Sequence, residues 1–196
     1  LKDFDNAFTN KIKGWFSNTI YANTAIIYNV AYNLVDDPTT ELRFPLISIY
    51  RPNGFSMSSM QNFAAKRQGI EYFYNQGDNK SSLARFITAN LPYQLDIYTK
   101  SPEDLDDITE NIMQALNFDP ILTVSQKDEE TDENYVERYD ITYNNGPVEQ
   151  SEFQNGDRIY HYSLVYEISN ARLVNFKTHK SIDTTDVATS VNDEEI

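Results

Sequence analysis

The passage from Pro92 to Pro120 constrains the fold most, because a strand pattern runs directly into a helix that carries its own start and stop signals. Along the strand, four residues alternate with polar neighbours: Tyr93, Leu95, Ile97 and Thr99. Ser101 can cap a helix N-terminus, and Pro102 suits the first helical position because it lacks an amide hydrogen. The apolar stripe of this helix consists of Leu105, Ile108, Ile112, Ala115 and Leu116. A short apolar segment, 121–124, follows, so the sequence predicts a strand-helix-strand unit.

Three further patterns precede this unit. Residues from about 4 to 17 carry apolar side chains at steps of three and four, which predicts an amphipathic helix: Phe4, Phe8, Ile12, Trp15 and Phe16. The period changes to two from Ile26 to Leu34, and a strand pattern resumes from Leu42 to Arg51. Because Asp36-Asp37-Pro38 breaks the pattern between them, we expect these strands to form a hairpin. Pro45 has no amide hydrogen to donate, so we expect the second strand at a sheet edge or a bulge.

Residues 52–90 carry weaker signals. Ile70–Tyr74 and Leu83–Ala89 are both compatible with strands, and a polar loop containing Gly77 joins them. We therefore expect an extended arm that reaches a neighbouring molecule.

The C-terminal part predicts two paired strands. Tyr135–Tyr143 alternates, and the return strand runs from Ile159 to Ile168. The polar connection contains Asn145-Gly146 and Asn155-Gly156, which predicts that the chain turns back there. Residues from about 178 onward have no periodicity, so we expect a tail that is disordered unless a partner orders it.

Together these patterns predict an α+β fold. We expect a mixed, mostly antiparallel sheet with the N-terminal helix and the second, acidic helix packed on one face. Residues 1–177 are predicted to form a single domain in which 52–90 is an arm or loop insertion. Residues 178–196 are predicted to be a flexible acidic tail.

The chain is acidic, with 30 Asp and Glu against 16 Lys and Arg and a net charge of −14. Residues 101–140 carry 13 acidic and two basic residues, and residues 181–196 carry five acidic and no basic ones, which leaves the other 140 residues at +2. This balance argues against direct binding of nucleic acid. Two interpretations of the acidic runs stay open: a solvated surface, or an acidic wall along which DNA passes without sticking.

The sequence has few residues in patterns typical of catalytic or metal-binding sites. The chain has no cysteine, which excludes disulfides, thiolate nucleophiles and cysteine-based metal sites. His161 and His179 lack metal-ligand spacing, and His161 lies within a strand pattern that favours a sheet-face residue over a ligand or base. Asp106-Asp107 fits a solvated helix face, and Asp128-Glu129-Glu130 lacks the spacing of a calcium loop.

We therefore predict no catalytic, cofactor-binding or metal-ligating residues and no cofactor. A small acidic hydrolase stays open as an alternative, because paired carboxylates meet in space and not in sequence order. No apolar window approaches the length of a membrane span, and the N-terminus lacks signal-peptide order, so we expect a soluble protein made in a cytoplasm.

The stretch from Ala89 to Asp104 resembles the strand-to-helix passage of tail terminator and neck (tail-completion) proteins of tailed bacteriophages. In that family a proline precedes a short apolar strand containing Tyr-Gln-hydrophobic-Asp, matched here by Pro92 and Tyr93-Gln94-Leu95-Asp96, and an acidic helix follows. The similarity proper spans about residues 89–118. The order of elements also agrees, from a first helix through a hairpin to closing strands at 134–143 and 158–168.

The resemblance implies a structural virion protein and not an enzyme. Six copies would close into a ring on the last ring of the tail tube, stop its polymerisation and present a surface to the head connector. The implied partners are other copies of the chain, the tail-tube and sheath proteins, and connector or neck proteins, with no membrane and with DNA only passing through a lumen. The implied location is the tail or neck of a virion assembled in the bacterial cytoplasm.

Ring closure needs sheet edges or arms that pair with a neighbour. The candidates are the Pro45 strand, the arm around 70–89 and the aromatic C-terminal strands. Another neck, head-completion or baseplate component of similar fold is the nearest alternative.

Overall fold

The computed structural model describes residues 1–17, 19–28, 44–52, 56–57, 69–75, 80–127, 134–154, 157–175 and 182–183. These residues contain two helices, α1 (Lys2–Phe16) and α2 (Pro102–Phe118). Ten strands accompany them: β1 (Ala25–Tyr28), β2 (Leu46–Tyr50), β3 (Ser56–Met57), β4 (Gly69–Asn75), β5 (Lys80–Thr99), β6 (Ile121–Lys127), β7 (Asn134–Glu149), β8 (Glu152–Gln154), β9 (Asp157–Asn175) and β10 (Ile182–Asp183).

The main strands lie in the order β1-β2-β5-β9-β7-β6, and the short strands join this sheet along β5 and β9. Every neighbouring pair is antiparallel except β1 with β2, so the sheet is mixed and mostly antiparallel. Both helices pack on the same face. The Phe8 ring of α1 stacks on Tyr93, and Tyr166, the cross-strand partner of Tyr93, faces α2. The fold is α+β, as the sequence predicts.

Both helices follow the predicted apolar spacing. In α1 the stripe Phe4, Phe8, Ile12 and Phe16 is buried, and Trp15 packs partly buried against the core. In α2 the buried stripe is Leu105, Ile108, Ile112 and Leu116. The Oγ of Ser101 accepts a hydrogen bond from the Asp104 amide at 3.5 Å, which confirms Ser101 as the N-cap. Lys11 links α1 to the end of α2 and to β6, because its Nζ donates to Asp119 Oδ2 at 2.5 Å and to the Ile121 carbonyl at 2.8 Å.

The predicted hairpin of the first two strands is wrong. β1 and β2 run parallel, in a register that pairs Ala25 with Leu46 and Tyr28 with Ile49. Parallel neighbours need a crossover connection and not a tight turn. The periodicity of a strand determines which side chains share a face but not the direction of its partner. Asp36-Asp37-Pro38, on which the hairpin was based, lies outside the described residues.

The edge position expected for the Pro45 strand is also wrong. β2 lies between β1 and β5, and all five of its residues are buried. Pro45 directly precedes the first strand residue, so its missing amide hydrogen removes no bond from the ladder. Its carbonyl still contributes, because it accepts a hydrogen bond from the Ala25 amide at 2.9 Å.

The predicted arm strands form an antiparallel hairpin. β4 pairs with the first half of β5, from Gly69 with Phe86 to Asn75 with Lys80. The second arm segment and the strand after Pro92 are one continuous strand of 20 residues, β5. One end of β5 therefore lies in the arm, and the other end leads through Ser101 into α2.

The chain turns back between β7 and β9, which pair antiparallel as predicted, but it does not do so at Asn145-Gly146. β7 continues through these residues to Glu149, and its pairing with β9 shifts register between Asn145 and Val148. β8 pairs with the start of β9, from Glu152 with Ile159 to Gln154 with Asp157, and Asn155-Gly156 lies outside the described residues.

The prediction that the tail lacks regular structure is wrong at Ile182 and Asp183. These residues form β10 and pair with Ser81 and Lys80 of the arm. The remainder of 178–196 and the predicted acidic loop around 128–133 lie outside the described residues.

Deleting Thr184–Ile196 is expected to leave the fold intact, because the deletion spares β10 and every residue that is buried in the described part of the chain. Thermal unfolding of the truncated protein should match that of the full chain within about 0.5 kcal/mol. A truncation before Ile182, which also removes β10, is the comparison. A large loss of stability in the shorter deletion alone would contradict the prediction.

Candidate functional site

An open groove of about 570 Å³ lies between α2 and the adjoining parts of β7 and β9. Its floor is aromatic and apolar, formed by Ile141, Tyr143, Pro147, Tyr162 and Tyr166 from the two strands. Helix α2 supplies one wall through Asp106, Thr109, Glu110, Met113, Gln114, Leu116 and Asn117. The groove exists because β5 leads through Ser101 into α2, which crosses back over β5 and β9 before β6 begins. We call it the aromatic groove.

The rim of the aromatic groove is acidic. Asp106 and Glu110 are exposed on α2, and none of the described residues that line the groove is Lys or Arg. Burial, and then the hydrogen bond with Asp106, raise the pKa of Tyr162 above its ordinary value. The groove therefore combines apolar floor area with negative charge, a chemistry suited to a partner that is aromatic and basic.

Tyrosines of β7 and β9 shape the floor. The rings of Tyr143 and Tyr166 meet edge to face with centroids 5.5 Å apart. The Tyr143 hydroxyl donates to the Gly146 carbonyl, across the irregular part of β7. Tyr143 is 43% exposed and Tyr162 is half-buried, whereas Tyr166 is buried, so the floor presents two accessible rings beside a buried one.

His161 lies within β9, as predicted, and is buried on the sheet. Its Nε2 is 3.3 Å from Asp96 Oδ1 on β5, in a geometry outside that of a hydrogen bond, so the contact is chiefly electrostatic. The imidazole stacks on the Tyr98 ring at 4.2 Å between centroids. Gln94 Nε2 also donates to Asp96 Oδ1, at 2.9 Å.

The arrangement around Asp96 does not match a Ser-His-Asp catalytic triad. A triad needs the serine hydroxyl on the histidine, with the carboxylate on the other ring nitrogen. Here Ser163 and His161 both approach the Asp96 carboxylate. These polar residues hold β5 and β9 together, and their geometry supports a structural role.

We expect Asp96 to make stability depend on acid pH. Burial alone would raise the pKa of Asp96, but the contacts with His161, Gln94 and Ser163 bring it below its ordinary value. A depressed pKa contributes stability above the unfolded value, about 3.9, and that contribution is lost as pH falls through the folded value. Urea unfolding at pH 6 and at pH 3 measures how much unfolding free energy is lost on acidification. This loss should be smaller for Asp96→Asn than for the unchanged protein.

The matched control for this titration is Asp140→Asn on β7, because Asp140 is exposed. It should leave the acid dependence as it is in the unchanged protein. If the unchanged protein and Asp96→Asn lost the same unfolding free energy between pH 6 and pH 3, Asp96 would not be the source of the acid dependence.

A second buried polar cluster joins α1 to the sheet. Arg51 donates from Nε to Asp5 Oδ1 at 2.7 Å and from Nη2 to Oδ2 at 3.0 Å, and the Tyr93 hydroxyl donates to Asp5 Oδ1 at 2.8 Å. Burial, followed by the Asp5 charge, raises the pKa of Tyr93. Burial alone would lower the pKa of Arg51, but its bonds to Asp5 and Tyr28 raise it.

No pattern in the sequence predicts this cluster. Its members are 46 and 88 residues apart, so no local pattern joins them. The available signal was the position of Asp5 beside Phe4 and one turn before Thr9 on the buried side of α1.

The other residues that were weighed for chemistry, and set aside, are dispersed. Asp106 lines the groove rim, whereas Asp107 accepts a hydrogen bond from the Tyr21 hydroxyl at 2.9 Å. His179 and Asp128-Glu129-Glu130 lie outside the described residues. Within the described part of the chain, no three His, Cys, Asp or Glu side chains cluster as metal ligands would.

None of the helices in the described residues has the length and apolar character needed to cross a membrane. In comparisons with known proteins, neither a protein-family model nor a curated protein matches this chain.

Proposed function

We propose that this chain is a non-enzymatic structural protein of a tailed bacteriophage virion. Copies of it, six in number, close into a ring that caps the tail tube and joins the tail to the head connector. Its partners are other copies of itself, the tail-tube and sheath proteins, and connector or neck proteins. It acts in the tail or neck after assembly in the host cytoplasm, and DNA meets it only in passing through the lumen.

The observation that carries this proposal is the arrangement of elements around the stretch from Ala89 to Asp104. That stretch forms the second half of β5, the Ser101 cap and the first turn of α2, as the resemblance to tail terminator and neck proteins requires. A first helix precedes it, the paired strands β7 and β9 close the domain, and both helices cover one sheet face. The parallel pairing of β1 and β2 departs from the expected hairpin, whereas the strand-to-helix passage and the closing strands agree.

The ends of the sheet support a role in assembly. In the described order, β1 and β6 are the outermost main strands. A subunit with two different sheet ends can make a head-to-tail contact with each neighbour, which is the geometry that a closed ring needs. The exposed apolar side chains Ile121 and Val136 lie on the β6–β7 side, with exposed fractions of 43% and 55%.

The charge of α2 suits a passage for DNA. Its sequence has five acidic residues and no basic one: Glu103, Asp104, Asp106, Asp107 and Glu110. All except Asp104, which is half-buried, are exposed. Repeated around a ring, such a face repels the phosphate backbone and keeps DNA from sticking.

The test is to image and weigh the protein alone and after incubation with tail tubes built from the tube protein of the same phage. We expect ring-shaped particles with a mass near six chains, or a cap at one end of the tubes. Tubes made from an unrelated tube protein are the control.

Attachment at the head vertex or the baseplate, with no binding to tube ends, would favour the alternative of a head-completion or baseplate component. A stable monomer that does not bind tail tubes would overturn the proposal. Turnover of a small molecule, abolished by changes at one or two acids or at His161, would instead establish the hydrolase.

A further inference from the structure

We infer that the aromatic groove binds an arginine-bearing segment of another protein. The guanidinium of that arginine lies between the carboxylates of Asp106 and Glu110, and the apolar side chains beside it lie on the tyrosine floor. The inference specifies the ligand of the groove and does not depend on the proposed ring.

The two carboxylates of the groove rim are held in place by neutral neighbours that also line the groove. Asp106 is hydrogen-bonded to the Tyr162 hydroxyl, and Glu110 Oε1 accepts from Gln114 Nε2 at 2.7 Å. Residues four apart on a helix lie on the same face, with their Cβ atoms about 6 Å apart. Each carboxylate can accept further hydrogen bonds. A single planar group with several N–H donors can therefore reach both of them.

Within the described part of the chain, no cation neutralises these two charges. The ion pairs of the described residues engage other carboxylates, namely Asp5, Asp119 and Glu137, and the groove lining contains no Lys or Arg. A hydrogen bond between a guanidinium and a carboxylate is shorter and stronger than a neutral one. The groove is therefore complementary in charge to a cation that a partner supplies.

Thr109 is a second indication of a polar ligand. It lies between Asp106 and Glu110 on α2 and lines the groove. Its side chain is 4% exposed, and its hydroxyl has no hydrogen-bond partner among the described residues. Buried polar groups in proteins are nearly always paired. The helix wall therefore has hydrogen-bonding capacity that the described chain does not use and that a polar ligand can satisfy.

The groove floor favours arginine over lysine. Tyr143 is 43% exposed and Tyr162 is half-buried, so two rings are accessible from the groove. A guanidinium stacks on aromatic rings and donates to more than one carboxylate, whereas the lysine ammonium is compact and strongly hydrated. Met113 and Pro147 add apolar surface for the side chains that flank the arginine.

The arginines of this chain favour a partner other than a second copy. Of the four whose side chains the structure describes, three already contact their own chain: Arg51 pairs with Asp5, Arg172 pairs with Glu137, and Arg158 lies over the Tyr160 ring. The fourth, Arg138, is exposed on β7 and is tested separately below.

The experiment titrates the full-length protein with two synthetic peptides. One is acetyl-Leu-Arg-Leu-amide, and the other has citrulline in place of arginine, which keeps the shape of the side chain and removes its charge. Binding is measured by NMR, from the shifts of the tyrosine ring signals. The arginine peptide should bind at least about tenfold more tightly than the citrulline peptide, because its hydrogen bonds to the carboxylates are charge-assisted.

The groove variant is Asp106→Asn with Glu110→Gln. It removes both charges but keeps an acceptor oxygen for Tyr162 and for Gln114, so the preference for arginine should disappear without loss of the fold. The matched control, Glu103→Gln with Asp140→Asn, removes two charges from exposed residues outside the groove lining and should keep the preference. Circular dichroism shows whether each variant is folded.

A third variant, Tyr143→Leu, tests the aromatic floor. Because leucine cannot stack with a guanidinium, the affinity for the arginine peptide should fall about threefold. An unchanged affinity would overturn the placement of the arginine on the tyrosine floor.

The remaining outcomes are distinct from those that test the proposed function. Equal binding of the two peptides, or no binding of either at about 10 mM, overturns the inference. A preference that survives in the groove variant, or that the control variant also loses, shows attraction to the whole acidic surface and overturns it as well. If the groove variant and Arg138→Gln both lose self-association, the occupant is a second copy and not another protein. A protein that binds the arginine peptide but neither forms rings nor caps tubes contradicts the proposed function alone.

Discussion

Arg51→Met is expected to lower the free energy of unfolding by about 3 kcal/mol, a large fraction of the stability of a typical domain. Arg51 and Asp5 are both nearly buried, with side-chain exposures of 13% and 11%. Removing the guanidinium leaves the Asp5 carboxylate in the core with only the tyrosine hydroxyls of Tyr93 and Tyr28 as side-chain partners, and with no positive charge beside it. Methionine keeps the length of the apolar stem, so the loss reports the charge and its two hydrogen bonds and not an empty space. Urea unfolding at neutral pH measures the change.

The comparison variant for Arg51 is Lys11→Met, which breaks the Lys11–Asp119 pair. Asp119 is 60% exposed, so water replaces the lost partner and the cost should stay below about 1 kcal/mol. The double variant Asp5→Asn with Arg51→Met should recover part of the loss, because no buried charge remains. Equal effects of Arg51→Met and Lys11→Met would contradict the assignment of a buried ion pair.

Much of the fold could be predicted because the relevant signals are local. The spacing of Phe4, Phe8 and Ile12 determines a helix face, and Ser101-Pro102 marks a helix start, whatever the rest of the chain does. Partner direction is not local. The alternation of side chains around Ile26 is the same in a parallel and in an antiparallel ladder. The sequence pattern therefore does not indicate the parallel pairing of Ile26 with Ile47.

The candidate site was partly predictable for the same reason. Asp106 could be placed on a solvated helix face from its own helix alone. The groove itself depends on Tyr143, Tyr162 and α2 meeting, and these belong to three elements separated by long stretches of chain. The Asn145-Gly146 pair shows the limit of turn signals. Gly146 permits a positive φ, and the fold uses that freedom for an irregularity within β7 in place of a reversal.

Gly146→Ala should therefore destabilise the protein by about 3 kcal/mol, for two reasons that act together. The φ of Gly146 is +122°, a backbone conformation that side chains rarely adopt. A Cβ at this position would also lie 2.6 Å from the Ser163 carbonyl oxygen and 3.0 Å from the Leu164 Cα, both backbone atoms of β9. Neither atom can move without disturbing the ladder that joins β7 to β9. Thermal and urea unfolding measure the loss.

The same substitution at Gly14 should have the opposite sign. Gly14 is an exposed residue in the last turn of α1, and a Cβ there meets no atom within 4 Å. Alanine is the better helix former, so Gly14→Ala should stabilise the protein by about 0.5–1 kcal/mol. Gly146 also accepts from Tyr143 and precedes Pro147, both of which line the groove, so Gly146→Ala should disturb the groove floor while Gly14→Ala leaves it unchanged. Losses of equal size at both glycines would show that space and φ at residue 146 do not limit the fold, and would remove the link between the irregularity of β7 and the groove.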